Sequence, residues 1–339
     1  MASRQRVSLA VKASVTRKGA VLLGKYVACD GFHETRPLRV VTHAHADHLI
    51  GLRQSLKHCE RVLMTPATKD LIDVMRGPLF LMMGNVETLT YNQPFRYGDE
   101  EITFHFANHI LGAAQVLVED NEGTRILYTG DFKLRGTPTV EADVLVIEAT
   151  YGCPSRTRPF DASVENVLVS LVEQGLREGT VYVFGYHGKI QEVMQILRKA
   201  KIKVPFVAPE KVFHVSKVCE KHGMRLGTIL LSTEDEGRKL LKNNSPCVAF
   251  YHMGSRHKVG QDSFRVCVSG WEFRSVCRRI GDKEYVVALS DHSDFEDLLE
   301  YVRRCRPKEV ITDNYRVGDA VALAREIWRR LKIPAKAVP

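Results

Sequence analysis

Leu38-Arg39-Val40-Val41-Thr42-His43-Ala44-His45-Ala46-Asp47-His48 is a short, mostly apolar run that opens into three histidines and an aspartate within six positions. The run reads as a buried strand, with the polar residues where the strand gives way to a loop. Neutral imidazole nitrogens and carboxylate oxygens are the usual ligands of hydrolytic zinc. Side chains alternate along extended backbone, so His43, His45 and Asp47 can point one way. His48 follows Asp47 directly, which lets two ligand sets diverge from one loop. That arrangement suits two adjacent metal ions better than one. A single strand-end histidine is usually a surface or capping residue, but four metal-type side chains at this spacing read as a ligand cluster.

Two ions need further ligands, and strand ends supply the candidates. Asp30 closes Tyr26-Val-Ala-Cys29, and His109 lies in Asn108-His-Ile-Leu-Gly-Ala-Ala-Gln115 after the strand 102–106. Asp131 sits in Tyr128-Thr-Gly-Asp, where Gly130 allows close backbone approach. Glu148 ends the run Val144–Ile147, and His292 sits in Leu289-Ser-Asp-His-Ser-Asp294 after the strand 285–289. Any one of these alone reads equally well as a helix cap or turn former. Their recurrence at successive strand ends points to one shared site.

The 339 residues can bury a large core, in one large domain or two medium ones. With 44% hydrophobic and 26% charged residues the composition is that of a globular protein. No apolar run approaches the roughly 18–20 residues of a membrane span. Basic residues, among them Arg4, Arg6, Lys12, Arg17 and Lys18, precede the first acid, Asp30, but Val7-Ser-Leu-Ala-Val11 and the turn pair Lys18-Gly19 read as a strand hairpin rather than a targeting segment. Eight dispersed cysteines without a Cys-x-x-Cys pair fit a reducing compartment, so an intracellular protein is expected. The net charge of +9 and pI of about 9.1 favour a polyanionic partner such as nucleic acid. Arg274, Arg278, Arg279 and Lys283 form one basic cluster, and Arg303, Arg304, Arg306 and Lys308 another.

Up to residue 155 the chain is strand-rich, with helical spacing at 48–57 and 67–76. Beyond Pro154-Ser-Arg-Thr-Arg-Pro159 strands and helices alternate: helices at 161–178, 188–200 and 209–222, strands at 180–184 and 205–208. This is a parallel β/α pattern, which predicts a second domain with a doubly wound sheet.

The pattern Asp30, His43-x-His45-x-Asp47-His48, His109, Asp131 resembles the metallo-β-lactamase superfamily. Glu148 in Val-Ile-Glu-Ala-Thr-Tyr-Gly and His292 in Ala-Leu-Ser-Asp-His-Ser-Asp-Phe resemble the acidic and histidine motifs of its nucleic-acid branch, which carries a β-CASP domain. The resemblance covers nearly the whole chain. It implies an αββα sandwich built from 1–155 and 276–339, with a parallel α/β β-CASP insert at 156–275. Asn108–Gln115, Gly185–Glu192 and Val268–Trp271 resemble the ligase-associated DNA exonucleases and the Artemis-type DNA nucleases most. One position departs: where many β-CASP enzymes carry a third histidine, this chain has Asn314, with Asp313 as the neighbouring alternative, which weakens the case for a second ion.

The resemblance also implies roles. His43, His45 and His109 hold the first metal, Asp47 and His48 belong to the second, and Asp131 bridges both. Zinc is implied, as one or two ions, with manganese the alternative where carboxylates contribute. His292 is the candidate general acid or phosphate-oxygen donor, Glu148 its orienting partner, and Asp30 a residue that fixes a ligand. Tyr186, Lys189, Trp271 and Arg274 are candidate substrate-binding residues; Lys189 follows a glycine-rich turn that can take phosphate on helix N-terminal amides, and Trp271 can stack on a base. The expected function is a metal-dependent nuclease, a DNA exonuclease acting on single-stranded or 5′-phosphorylated ends in repair. An RNA exo- or endonuclease in RNA processing is the alternative, and a metallo-hydrolase outside nucleic acids the remote one.

Overall fold

The computed structural model describes residues 12–77, 80–81 and 84–339. Val7–Val11 lies outside these, but the hairpin turn is present: Ala13–Val15 pairs antiparallel with Val21–Leu23 across Lys18-Gly19. Among the described residues the strands form three sheets, of six, seven and seven strands.

The first sheet runs in sequence order from Ala13–Val15 to Val86–Thr88. The second is built around the antiparallel pair Glu100–Phe106 and Ala114–Asp120, adds Arg125–Tyr128 antiparallel to the latter, and continues from it in parallel through Val144–Ile147, Glu309–Asp313 and Ala335–Val338. Val21, Leu23, Val40 and Leu63 of the first sheet share one apolar core with Phe104, Val116, Ile126 and Val146 of the second. The outer face of the first sheet, through Val62 and Met64, packs on Leu52, Leu56, Leu71 and Ile72. The outer face of the second, through Leu127, Leu145 and Val310, packs on Leu298, Val302, Leu323 and Ile327. Leu52 and Leu56, Leu298 and Val302, and Leu323 and Ile327 each stand four residues apart, on one face of their helix.

The third sheet has Val181–Gly185 at its centre, flanked in parallel by Val248–His252 and Phe264–Val268. Val181, Val183, Val248 and Val266 are fully buried, as strands covered on both faces by helices must be. Cys277–Arg279 and Glu284–Val287 also belong to the third sheet, the latter pairing in parallel with Phe264–Val268. The short apolar run 285–287 fits either sheet, so only long-range pairing decides where it goes.

Helix boundaries follow local chemistry. Thr65 caps Pro66–Arg76 by accepting from the Thr68 amide, with proline in the first turn. The helix expected at 48–57 starts later, at Leu52, because Gly51 sits in left-handed backbone before it; Ala46–His48 is a separate 3-10 turn. Among the described residues no helix is long and apolar enough to cross a membrane.

Candidate metal centre and nucleic-acid cleft

The strand Leu38–Val40 delivers the histidine loop to the edge of the inter-sheet core. His43, His45, His109 and Asp131 converge so that one ligand atom from each lies within 4.8 Å of every other. His45 Nδ1 is 3.2 Å from His43 Nε2 and 3.0 Å from His109 Nε2. Asp131 Oδ2 lies 3.6 Å from His43 Nε2, 3.7 Å from His109 Nε2 and 3.2 Å from His48 Nε2. Three imidazole nitrogens facing one another cannot all be satisfied by hydrogen bonds, but they can share a cation. Burial holds His43 well below the usual imidazole pKa and His109 down at about 3, so both present neutral lone pairs.

The remote ring nitrogens are anchored, as metal-binding imidazoles require. His109 Nδ1 faces the Asp291 carbonyl at 2.9 Å, His43 Nδ1 the Thr42 hydroxyl at 3.0 Å, and His45 Nε2 the His187 carbonyl at 3.3 Å. The donor set and its supports fit a divalent metal ion.

Asp30 adopts left-handed backbone at φ 54, rare for a non-glycine residue. Its buried carboxylate accepts from the Thr42 amide at 2.8 Å and the Thr42 hydroxyl at 2.7 Å, and meets His48 Nδ1 at 2.7 Å. Burial alone would raise its pKa, but His48, Arg316 and Arg39 hold it below the usual carboxylate range. His48 is pushed the other way. Burial opposes its proton, yet the Asp131 and Asp30 carboxylates raise it to about 10. His48 Nε2 is buried without a hydrogen-bond partner among the described residues. Asp47 lies 3.5 Å from it, on a side chain 58% exposed. This side of the centre therefore favours positive charge, although Asp47 and His48 do not close into a mutually adjacent ligand group as the first four residues do.

Glu148 and His292 meet as the sequence motifs imply. His292 Nδ1 is 3.0 Å from Glu148 Oε2, and the Phe132 amide donates to Glu148 Oε1 at 2.8 Å. Burial disfavours the imidazolium, but Glu148 raises His292 to about 9, so it carries a proton at neutral pH. Two residues on, Asp294 caps Phe295–Cys305 and also accepts from the Arg158 amide at 2.8 Å, which fixes the loop bearing His292.

A cleft of about 420 Å³ opens over these residues, lined by His45, Asp47, Asp131 and His292 on one side and by Tyr186, Lys189 and Trp271 on the other. The last three follow the carboxyl ends of third-sheet strands or sit in the turns beyond them, where ligands of parallel sheets bind. Tyr186 is 57% and Trp271 50% exposed. Trp271 packs edge-on against Tyr151 at 5.2 Å between ring centroids.

Other expected residues are placed differently. Lys189 is buried and paired with Asp291 Oδ1 at 2.8 Å, so its charge is already committed. The Gly188 amide donates to Gln191 Oε1 at 2.8 Å rather than standing open to phosphate. Gly188 has φ 90, and a β-carbon there would run into Ile110; the glycine is needed for close approach of the third sheet's loop to the His109 loop. Arg274 does not line the cleft; its amide donates to Glu272. Much of the basic clusters is ion-paired at the surface: Arg278 with Glu272, Arg279 with Asp282, Lys283 with Glu178, and Arg303 and Arg304 with Glu300. Asn314 turns away, donating to the Pro339 carbonyl, and Asp313 binds the Tyr315 amide and Arg316.

Residues not singled out by sequence matter too. Asp291 supports His109 and holds Lys189, and its only signal was adjacency to His292. Arg39, an interruption in an apolar strand, is fully buried and donates to the carbonyls of His48 at 2.8 Å and Ile50 at 3.1 Å. Burial lowers its pKa to about 10, still charged at neutral pH. Arg39→Met should leave two carbonyls of the ligand loop unpaired. Thermal or denaturant unfolding is expected to show a loss of about 3 kcal/mol, with weaker metal retention.

The fold and the His/Asp centre define a metal-dependent hydrolase. No family model matches the chain. It is 41% identical over 138 residues to an uncharacterized protein in the lig 3′ region of Acidianus ambivalens, covering 40% of this chain and 99% of that one. It is 29% identical over 287 residues to a probable DNA ligase of Opitutus terrae, covering 80% of this chain but only 26% of the ligase. An RNase J-like protein of Methanocaldococcus jannaschii is 24% identical over 406 residues, covering 97% and 95%. The fold is also that of a crystal structure from Enterococcus faecalis V583, a protein of unknown function, with a TM-score of 0.59, 13% identity and coverage of 83% of this chain and 75% of that one. The chain belongs to the metallo-β-lactamase superfamily, in its branch of metal-dependent β-CASP nucleases.

Proposed function

We propose that the chain is a zinc-dependent exonuclease that trims single-stranded DNA ends so that they can be joined. In this reading the first two sheets with their outer helices are the αββα sandwich, and the third sheet, from about 156 to 289, is the β-CASP insert. The observation that carries the proposal is the single cleft in which the His43–His45–His109–Asp131 group, the Glu148–His292 pair and two exposed aromatic rings meet. Its volume is that of a small-ligand pocket, which favours a strand end over a duplex. Similarity to a probable DNA ligase over most of this chain, and to a protein from a lig 3′ region, supports DNA and ligation. Three imidazoles with one carboxylate favour zinc, with manganese the alternative. An intracellular setting fits the eight free thiols.

His43, His45, His109 and Asp131 would hold a divalent ion, which would supply Lewis-acid polarisation of a phosphoryl oxygen and activation of the attacking water. The remaining work falls to side chains. Asp131 and Asp47 keep the floor of the cleft anionic toward metal, while His48, tied to Asp30, is fixed in orientation. Protonated His292 donates to the departing 3′-oxygen or to a non-bridging oxygen, and Glu148 holds its Nδ1 so that Nε2 faces the reaction. Tyr186 and Trp271 stack on bases. Tyr186→Ala and Trp271→Ala should each weaken binding of an oligothymidylate by about 1–3 kcal/mol, read by fluorescence anisotropy.

The similarity to an RNase J-like protein over nearly the full length supports a second reading, an RNA nuclease. Cleavage of matched DNA and RNA strands with defined 5′ ends separates the two. Equal or faster turnover of RNA removes the DNA reading.

A further inference from the structure

Arg316 follows the strand Glu309–Asp313 and lines the catalytic cleft beside Asp47 and Asp131. Its side chain is only 8% exposed. One terminal nitrogen, Nη1, is held by Asp313 Oδ2 at 2.5 Å. The other, Nη2, has only long contacts, 3.4 Å each, to the carbonyls of Gly19 and Asp30. Nε is buried without a partner among the described residues. A guanidinium carries five N–H donors, and a buried one normally uses them. Here a fixed cation is anchored at one corner, left under-bonded at the others, and set at the wall of the cleft.

Its position gives those donors a use. On the Asp47–His48 side the centre lacks a closed set of ligands, since neither residue belongs to a mutually adjacent ligand group. Asn314, the position expected to add an imidazole, faces the last strand instead. We propose that Arg316 is a substrate-binding residue of this centre: its guanidinium takes a non-bridging oxygen of the substrate phosphate on the Asp47–His48 side, the place a second firmly held metal ion would otherwise fill. Guanidinium suits the task because its planar fork matches phosphate geometry and it stays charged at any working pH. The inference rests on the nuclease reading above. The alternative role for Arg316 is purely structural, an ion pair that locks the Asp313 turn.

The test uses the full chain stripped of metal by a chelator, so that no strand is cut, and a 5′-phosphorylated oligothymidylate whose binding is followed by anisotropy at several salt concentrations. Arg316→Gln is expected to raise Kd about 10-fold or more and to flatten the salt slope by about 0.7, the loss of one phosphate contact on a single strand. Arg316→Lys should restore the slope. A structural ion pair would shift the melting temperature and leave the slope alone, so an unchanged slope and Kd in a folded Arg316→Gln overturns the proposal. Wild-type protein provides a measurement independent of any variant. After loading and dialysis, elemental analysis should find one retained ion per chain, and two equally tight ions overturn the inference. A wild-type chain that cuts strands while Arg316→Gln binds normally sinks this inference alone. A metal-loaded wild type that neither binds nor cuts DNA or RNA sinks the nuclease reading, and this inference with it.

Discussion

Asp131→Asn is expected to reduce phosphodiester cleavage to background and to strip firmly held metal from the chain. The substitution keeps the shape of the side chain and removes its charge. Asp131 Oδ2 lies within 3.7 Å of His43, His48 and His109 nitrogens, so one carboxylate oxygen reaches three of the centre's imidazoles. Burial would raise the Asp131 carboxyl, but His48 above all, with His292 and His43, holds it well below the usual range. An amide cannot compensate that concentration of imidazoles. Groups that merely orient a metal ligand cost about 10–100-fold when removed; loss of the one carboxylate shared by both sides of the centre must exceed that. Elemental analysis and turnover on a labelled strand, made on the same preparation, check the result. Retained metal with near-normal turnover would remove Asp131 from the centre. Gly130, immediately before it, sits at φ 55 with Thr42 close by, so the loop is already constrained and the amide variant should fold.

Much of this centre was legible because metal ligands recur at strand ends, and strand ends are visible as apolar runs that stop. Strand ends offered His43, His45, His109 and Asp131 as candidates, but only the resemblance selected these four from the others, and the structure brings them together. The Glu148–His292 pair, 144 residues apart, was legible only through motif resemblance, since no spacing rule links them. What escaped was direction. Lys189 looked like a free cation on a phosphate-binding turn, and its partner Asp291 is about a hundred residues away in the chain. Arg274 shares a basic stretch with Arg278, yet the turn after Trp271 carries it out of the cleft. Arg39 and Arg316 look like ordinary charges, and only burial reveals that each is held inside. Strand Glu284–Val287 shows the same limit for the fold: its apolar pattern is satisfied by either neighbouring sheet, and pairing with Phe264–Val268 decides which one it joins.

His292→Gln should separate chemistry from metal binding. Metal content is expected to stay near that of wild type while kcat falls by ~10²–10⁴-fold, the size of a lost general acid. The geometry allows a competing role, because His292 also comes within ligand range of His109 and Asp291, and of Asp131 and Glu148. Two features favour the acid. Its Nδ1 is committed to Glu148 at 3.0 Å, and Glu148 is itself held by the Phe132 amide, so the pair is oriented without any ion. Its pKa is raised to about 9 by Glu148 against burial, which keeps a transferable proton in place at neutral pH, whereas His109, the neighbouring candidate ligand, is held down at about 3. A ligand needs a lone pair and an acid needs a proton, and the two imidazoles are tuned to opposite sides of neutrality. The pH–rate profile adds a readout that a packing defect would not reproduce. The alkaline fall of the wild type, set by loss of the imidazolium proton, should vanish in the glutamine variant, because its amide does not titrate. Loss of metal in His292→Gln would instead make His292 a ligand and leave the leaving group without its proton donor.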